Sequence, residues 1–160
     1  MAYLIDGNNL LGHLFPGGMR DPENRLALVR KLKAFQRFTR TRVTIVFDGR
    51  PSREVEALSD GGDRFAVRFP AEGENADGAI MDLIDRRRDR RRLFVVSSDR
   101  ELRAYAREAG AHPLPCREFE TGLKRVLRER RAAREMDKPD PRSTPLELNL
   151  WLNVFGERKR

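Results

Sequence analysis

The chain alternates short apolar runs with longer segments in which apolar residues recur at helical spacing. Residues 2–5 and 93–96 are apolar throughout and residues 43–47 are apolar except for Thr44, which is typical of strands that are covered on both faces. Residues 23–38 and 75–88 carry apolar side chains every three or four positions, which predicts two amphipathic helices. The pattern therefore predicts strands and helices in alternation.

The remaining segments extend the same pattern. Phe65, Val67 and Phe69 alternate with polar neighbours, which indicates a half-exposed strand that ends at Pro70. After the apolar strand at 93–96, a helix extends to about residue 109. A short strand at 111–114 and a basic helix at 119–133 follow. Fully apolar strands separated by helices imply a three-layer α/β/α domain with a mostly parallel central sheet.

The length and the residue composition indicate one domain. The chain has 160 residues, and we expect the domain to span residues 1–135, with a proline-containing linker at 136–145. Residues 146–160 predict an amphipathic helix that docks on the domain and a basic tail, with Trp151 as an anchor in the core rather than a base-stacking platform.

Several classes of protein are excluded by what the sequence lacks. Cys116 is the one cysteine, which excludes an internal disulfide and a cysteine-based zinc cluster. No apolar stretch approaches the roughly 20 residues that span a bilayer. The N-terminus has no basic region of the kind that opens a signal peptide. We therefore expect a cytoplasmic protein that does not contact membranes.

The charge of the chain favours a polyanionic partner. The formal net charge is +8, and only five of the 33 basic residues are lysine. Arginine binds phosphate through a rigid two-pronged fork, which suits RNA, although a preference for arginine can also reflect base composition and a solvated surface. The densest run, at residues 86–92, is either an edge that contacts phosphate or a soluble connector.

Three of the predicted strands run directly into an aspartate. Asp6 and Asp48 follow the first two apolar strands, and Asp99 follows the third after two serines. Each alone could start a turn, and Ser98 with Glu101 could form a capping box. Because parallel strands bring their carboxyl ends to one edge, where ligands bind in α/β sheets, we expect the three carboxylates to lie close together.

A fourth acid points to the same place. Asp77 precedes Ile80 and Ile84 by three and seven residues, which predicts a position on or beside the apolar stripe at the start of its helix, with Asn75 as a possible N-cap. Several aspartates with no nearby histidine or cysteine match Mg²⁺ or Mn²⁺ better than Zn²⁺. With a basic surface, such an ion indicates hydrolysis of a nucleic-acid phosphodiester.

Four segments, in this order, resemble the YacP-like branch of the NYN domain proteins, which belong to the PIN-like nuclease superfamily. They are Tyr3-Leu4-Ile5-Asp6-Gly7-Asn8-Asn9, Val46-Phe47-Asp48-Gly49, Glu74-Asn75-Ala76-Asp77-Gly78 and Val96-Ser97-Ser98-Asp99-Arg100. The helix predicted near the C-terminus extends the resemblance over nearly the whole chain. The resemblance implies a PIN-like α/β/α fold and a divalent-metal-dependent ribonuclease, typically an endonuclease.

The resemblance also assigns roles to single residues. Asp6, Asp77 and Asp99 match the metal-ligating acids, Asp48 matches a further acid, and Asn9 matches an asparagine that positions an acid or a phosphate. We expect the substrate to contact six residues: Asn8, Ser98, Arg100, Arg86, Arg87 and Arg88. The sequence departs from the family at Asn8, where many relatives have tyrosine, and at Asn75 and Gly78, which leaves the number of bound metals open.

Two other functions compete with the ribonuclease. One is a non-catalytic RNA-binding or ribosome-associated module with the same fold. The other is a phosphatase or phosphotransfer domain, which also places aspartates at strand ends. Haloacid-dehalogenase-type phosphatases have a second aspartate two residues after the first, where this chain has Asn8, and receiver domains have a lysine after the last strand, where residues 111–116 offer none.

Overall fold

A computed structural model describes residues 1–136 of the protein. Five strands and six helices follow one another along this part of the chain: β1 (Ala2–Asp6), α1 (Gly7–Leu14), α2 (Pro22–Thr39), β2 (Arg42–Val46), α3 (Arg53–Glu56), β3 (Phe65–Arg68), α4 (Ala76–Asp85), β4 (Leu93–Val96), α5 (Arg100–Glu108), β5 (His112–Leu114) and α6 (Cys116–Met136). The predicted linker beyond residue 136 and the predicted helix at 146–160 lie outside the described residues.

The five strands form one sheet in the order β3-β2-β1-β4-β5, and every neighbouring pair is parallel. The predicted α/β class is therefore confirmed. The chain builds outward from β1 to β2 and β3, then crosses back and builds outward through β4 and β5. The direction of winding changes between β1 and β4, which is the point where α/β sheets open a crevice for ligands.

The central strand supplies side chains to both faces of the sheet, which explains its uninterrupted apolar sequence. Tyr3 and Ile5 enter a core with α1, α2 and α6, while Ala2 and Leu4 enter a second core with α4 and α5. Successive side chains of a strand point to opposite faces, so a strand between two helical layers has no polar position until it ends. Asp6 is the first polar residue and marks that end.

Two helices were not anticipated. The cluster Asp6-Gly7-Asn8-Asn9 indicated a turn, but α1 begins at Gly7 with no intervening loop, because Asp6 is its N-cap. Residues 53–56 form the short α3. The other boundaries differ by a few residues: α4 ends at Asp85 rather than 88, and α6 begins at Cys116 rather than 119. Among residues 1–136, no helix is both long and apolar enough to cross a membrane.

Candidate active site

Asp6 lies at the end of the central strand and is almost fully buried. One carboxylate oxygen, Oδ1, accepts the backbone N–H of Asn9 at 3.1 Å, and the other accepts the Ser97 hydroxyl at 3.1 Å. The pKa of Asp6 is raised to about 6, mainly by burial and also by the charges of Asp77 and Asp48, while the two hydrogen bonds act in the opposite direction. The site therefore contains a carboxylate that is poorly stabilised as an anion.

Ser97 connects two of the predicted acids. Its hydroxyl donates to Asp6 and accepts the backbone N–H of Asp99 at 3.1 Å. Asp99 is in turn the N-cap of α5, because its Oδ1 accepts the N–H of Leu102 at 3.0 Å. Ser98 and Glu101 therefore do not form the capping box that the sequence allowed, because the N-cap is Asp99, one residue later.

Asp48 follows β2, on the other side of β1 from Asp99, and Asp77 lies in the first turn of α4. The Oδ1 atom of Asp48 accepts the N–H of Ala76, the first residue of α4, at 2.7 Å, so β2 and the start of α4 are joined at this edge. Asn75 caps the same helix as expected, by accepting the N–H of Gly78 at 2.8 Å. Asp77 was expected beside the apolar stripe, but its side chain is exposed.

The charges of the other predicted acids raise the pKa values of Asp77 and Asp6. Partial burial raises the pKa of Asp77, and the charges of Asp99, Asp48 and Glu101 raise it further. Together with the influence of Asp48 and Asp77 on Asp6, these shifts connect all four predicted aspartates. Mutual repulsion of this kind is relieved by a proton or by a cation.

The asparagines after Asp6 differ in their surroundings. Asn9 Oδ1 accepts the backbone N–H of Ser98 at 2.8 Å and the Cys116 thiol at 3.2 Å, which ties α1 to the segment after β4 and to α6. The Asn9 amide NH₂ has no acceptor among residues 1–136. The Oδ1 atom of Asn8 is buried without a hydrogen-bond partner in the same part of the chain.

Sequence reasoning gave no role at this edge to Ser97 or Cys116. Both are fully buried beside the acids, and burial raises the pKa of the Cys116 thiol, so it serves Asn9 as a neutral donor. For Ser97, the signal was its place as the first polar residue after an apolar strand, but the same signal fits the neighbouring Ser98, which is exposed.

The arginines predicted to hold substrate divide between two edges of the sheet. Arg100, the first residue of α5, is exposed next to Asp99 at the carboxyl edge. Arg86, Arg87 and Arg88 follow the other end of α4. The segment that they begin reaches the start of β1, where the backbone carbonyl of Arg92 accepts the N–H of Ala2. The structure therefore does not bring these three arginines to the carboxylates, because α4 runs away from that edge.

The donor set fits a hard divalent cation by its chemistry. Within residues 1–136, no three His, Cys, Asp or Glu side chains form a ready-made metal site. However, the predicted donors at this edge are all carboxylate oxygens, which Mg²⁺ and Mn²⁺ prefer. Capping uses one oxygen of Asp48 and one of Asp99, and the second oxygen of each has no donor in the described part of the chain.

The chain forms an α/β domain with a parallel sheet whose winding reverses between β1 and β4, and the predicted aspartates lie at the carboxyl edge of that sheet. The model of the YacP-like NYN domain family matches residues 3–154, and the chain belongs to this family. A search of curated proteins found no match.

Solved structures share the fold. The crystal structure of Rae1 (YacP) from Bacillus subtilis is 26% identical, with a TM-score of 0.64, and the match covers 86% of this chain and 80% of that one. The W164L mutant of the same protein is 24% identical, with a TM-score of 0.66, over 97% of this chain and 92% of that one. The resemblance inferred from the motifs is therefore confirmed at the level of family and fold.

Proposed function

We propose that this protein is a divalent-metal-dependent ribonuclease, an endonuclease that hydrolyses RNA phosphodiesters at the carboxyl edge of its sheet. The observation that carries the proposal is the placement of Asp6, Asp48 and Asp99 after three parallel strands and of Asp77 in the first turn of α4, with charges that raise the pKa values of Asp6 and Asp77. Membership in the YacP-like NYN domain family supports it.

These four aspartates would hold Mg²⁺ or Mn²⁺. When bound, the ion would neutralise phosphate charge and activate water for attack on phosphorus. Asp6 must be deprotonated to serve as a ligand, and a cation favours that form over the proton that burial otherwise retains. Ser97 holds the Asp6 carboxylate in one orientation, since its hydroxyl is itself fixed by the N–H of Asp99.

Other side chains at this edge would receive the RNA. The Asn9 oxygen is occupied by Ser98 and Cys116, so its NH₂ group is the part left to donate to a phosphate oxygen. Arg100 is exposed at the start of α5, where a guanidinium and the positive end of the helix dipole act on a phosphate together. Ser98 and Asn8 border the same place.

Asp77 offers the cleanest test. It is exposed, it accepts no hydrogen bond in the described residues and it caps no helix, so Asp77→Asn removes a charge without disturbing the fold. Asp82→Asn is the matched control, because Asp82 is an exposed aspartate on the same helix. Labelled RNA is incubated with each protein in Mg²⁺, in Mn²⁺ and in excess chelator.

We expect the native protein and Asp82→Asn to cut RNA internally when the metal is present, and Asp77→Asn or the chelator to abolish cutting. Cleavage that persists in chelator or in Asp77→Asn would contradict the proposal. The absence of a ready-made metal site among residues 1–136 favours the non-catalytic RNA-binding or ribosome-associated module as a second candidate. Binding of RNA by the native protein without cleavage in either metal would select that module.

A further inference from the structure

The edge of the sheet opposite the carboxylates is basic. Residues 86–92 connect α4 to β4, and six of these seven residues are arginine. Because α4 has ten residues and rises 1.5 Å per residue, this segment lies about 15 Å from the acidic edge. Arg42, at the start of β2, belongs to the same side of the molecule.

The segment is held in a fixed shape by one of its own arginines. Arg90 donates from Nη2 to the carbonyl of Asp85 at 2.8 Å and from Nε to the carbonyl of Arg87 at 3.3 Å. His112 contacts the carbonyl of Arg91 at 2.8 Å, and the carbonyl of Arg92 accepts the N–H of Ala2 at 3.0 Å. Its backbone is therefore built into the fold at both ends.

The other arginines of the segment are left for an external partner. Among residues 1–136, Arg87, Arg88, Arg91 and Arg92 have no carboxylate within ion-pair distance, whereas Arg86 and Arg90 pair with Asp82 and Asp85. Arg87 to Arg91 line a shallow depression of about 360 Å³, together with Ala109 and Gly110.

The positive potential of this edge acts on the N-terminal amino group. Burial lowers the pKa of the Met1 amino group, and the charges of Arg92, Arg42 and Arg87 lower it further, although the Asp89 carboxylate opposes them. The single acid in the segment therefore does not cancel its charge.

The chemistry of this surface selects a phosphate chain rather than a protein. Three large hydrophobic side chains are exposed in the described chain, Met19, Phe38 and Met136, and none belongs to the segment. A surface of unpaired guanidinium groups without large apolar side chains matches a backbone of phosphates, which arginine binds through two parallel hydrogen bonds.

We propose that Arg87, Arg88, Arg91 and Arg92 form a second RNA-binding surface, which holds the substrate's phosphate backbone at a distance from the bond that is cut. This inference rests on the proposed function for the identity of the polyanion. The surface would act only on RNA long enough to reach both edges, and a short oligomer would occupy the carboxyl edge alone.

The test compares two double variants that lose the same charge. Arg88→Gln with Arg91→Gln alters two exposed arginines of the segment, and Arg30→Gln with Arg128→Gln alters two exposed arginines on α2 and α6. Binding of single-stranded RNA of about 24 and about 4 nucleotides is measured in chelator over a range of salt concentrations. Cleavage of both RNAs and the melting temperature are measured in parallel.

We expect the segment variant to bind the long RNA about tenfold more weakly and to reduce its log–log salt slope by about 1.4, or 0.7 for each lost phosphate contact. Its melting temperature, its binding of the short RNA and its cleavage of the short RNA should match those of the native protein. Equal weakening in both variants would overturn the proposal, because RNA would then respond to net charge alone.

Three further results would also overturn it. The first is unchanged affinity in the segment variant, and the second is a lower melting temperature without weaker binding, which would mean that the arginines only stabilise helix ends. The third is displacement of the long RNA by polyglutamate as readily as by unlabelled RNA, which would indicate an acidic protein as partner. The outcome is separable from that of the proposed function. A protein that binds long RNA through this segment but never cuts RNA would retain the surface and lose the nuclease.

Discussion

The Ser97 hydroxyl donates to the Asp6 carboxylate across neighbouring strands of the sheet. The register of the sheet produces this contact: Ile5 pairs with Val96, so Asp6 and Ser97, the residues that follow them, lie side by side. The same hydroxyl receives the N–H of Asp99. One small buried side chain thus fixes both the orientation of the central acid and the start of the segment that carries another.

Ser97→Ala tests this positioning role. The substitution removes a hydrogen bond that lowers the pKa of Asp6 and leaves the N–H of Asp99 without its acceptor. We expect the free energy of unfolding to fall by about 1–2 kcal/mol. The acidic limb of the pH–rate profile for RNA cleavage should move up by about half to one pH unit. Unfolding in urea and cleavage rates between pH 5 and 8 measure the two effects.

Ser98→Ala is the matched control for this experiment. Ser98 is exposed, and the contact that it makes to Asn9 uses its backbone N–H, which alanine retains. We expect a stability change within about 0.5 kcal/mol and an unshifted pH profile. If the profile moves in Ser98→Ala and stays in place in Ser97→Ala, the positioning role belongs to the other serine.

The raised pKa of Asp6 predicts how stability depends on pH. The pKa of Asp6 is about 6 in the folded protein and 3.8 ordinarily, so the folded state keeps a proton that the unfolded chain releases between these values. Stability therefore falls as the pH rises from about 4 to 6, by up to about 3 kcal/mol, and the loss is complete above that window. Thermal unfolding from pH 4 to 8 measures this loss.

Asp6→Asn should remove most of this dependence. The variant carries no charge at this buried position, so we expect it to exceed the native protein in stability by about 1–2 kcal/mol at pH 7, after the loss of one hydrogen bond. Near pH 4, where the charge no longer destabilises the native protein, the variant should be less stable by about 1 kcal/mol because of the lost hydrogen bond. Magnesium at pH 7 should raise the melting temperature of the native protein and leave that of Asp6→Asn nearly unchanged. A native protein that gains stability between pH 4 and 6 would contradict the raised pKa.

Asp48 has a role in the fold, and the proposed function gives it a second, separable role as a metal ligand. Its Oδ1 accepts the N–H of the buried Ala76, so Asp48→Ala should cost about 1–2 kcal/mol of stability. Asp48→Asn keeps that oxygen and removes the charge, so we expect stability within about 0.5 kcal/mol and cleavage reduced by about tenfold to a hundredfold. Equal cleavage by Asp48→Asn and the native protein would confine Asp48 to its capping role.

The placement of three aspartates at one edge of the sheet could be predicted because it depends only on strand direction. Asp6, Asp48 and Asp99 each follow an apolar run, and parallel strands place such residues at one edge whatever their order in the sheet. Which of Ser97 and Ser98 has its side chain buried beside Asp6 could not be predicted. It depends on the register between β1 and β4 and on the residue at which β4 ends, and a shift of one residue exchanges the buried side chain for the exposed one.

The first helix and the arginine segment illustrate two other reasons for error. Residues of the sequence Asp6-Gly7-Asn8-Asn9 favour turns, but tertiary packing places Leu10 and Leu11 in the core and starts a helix directly after the strand. The spacing of Leu10, Leu11 and Leu14 after a capping aspartate was the available signal. The arginines at 86–88 were assigned by charge alone, although the predicted helix at 75–88 already places them about 15 Å from Asp77, which lies at its start.

The direct passage from β1 into α1 also leaves no space for a side chain at Gly7. A Cβ atom built on Gly7 would lie 2.5 and 2.6 Å from ring carbons of Phe47 and 2.9 Å from the backbone oxygen of Val46. Phe47 is fully buried, and the oxygen belongs to β2, so neither group can withdraw without repacking the core. Gly7→Ala should therefore destabilise the protein by about 1–3 kcal/mol. Gly61→Ala, with nothing within 4 Å of its Cβ position, should change stability by less than about 0.5 kcal/mol.

Because the repacking would displace the start of α1, which holds Asp6 and Asn9, cleavage should fall in Gly7→Ala even where the protein remains folded. Urea unfolding and cleavage rates for the two variants measure both effects, and a Gly7→Ala protein as stable as Gly61→Ala would show that α1 can shift away from β2 without cost.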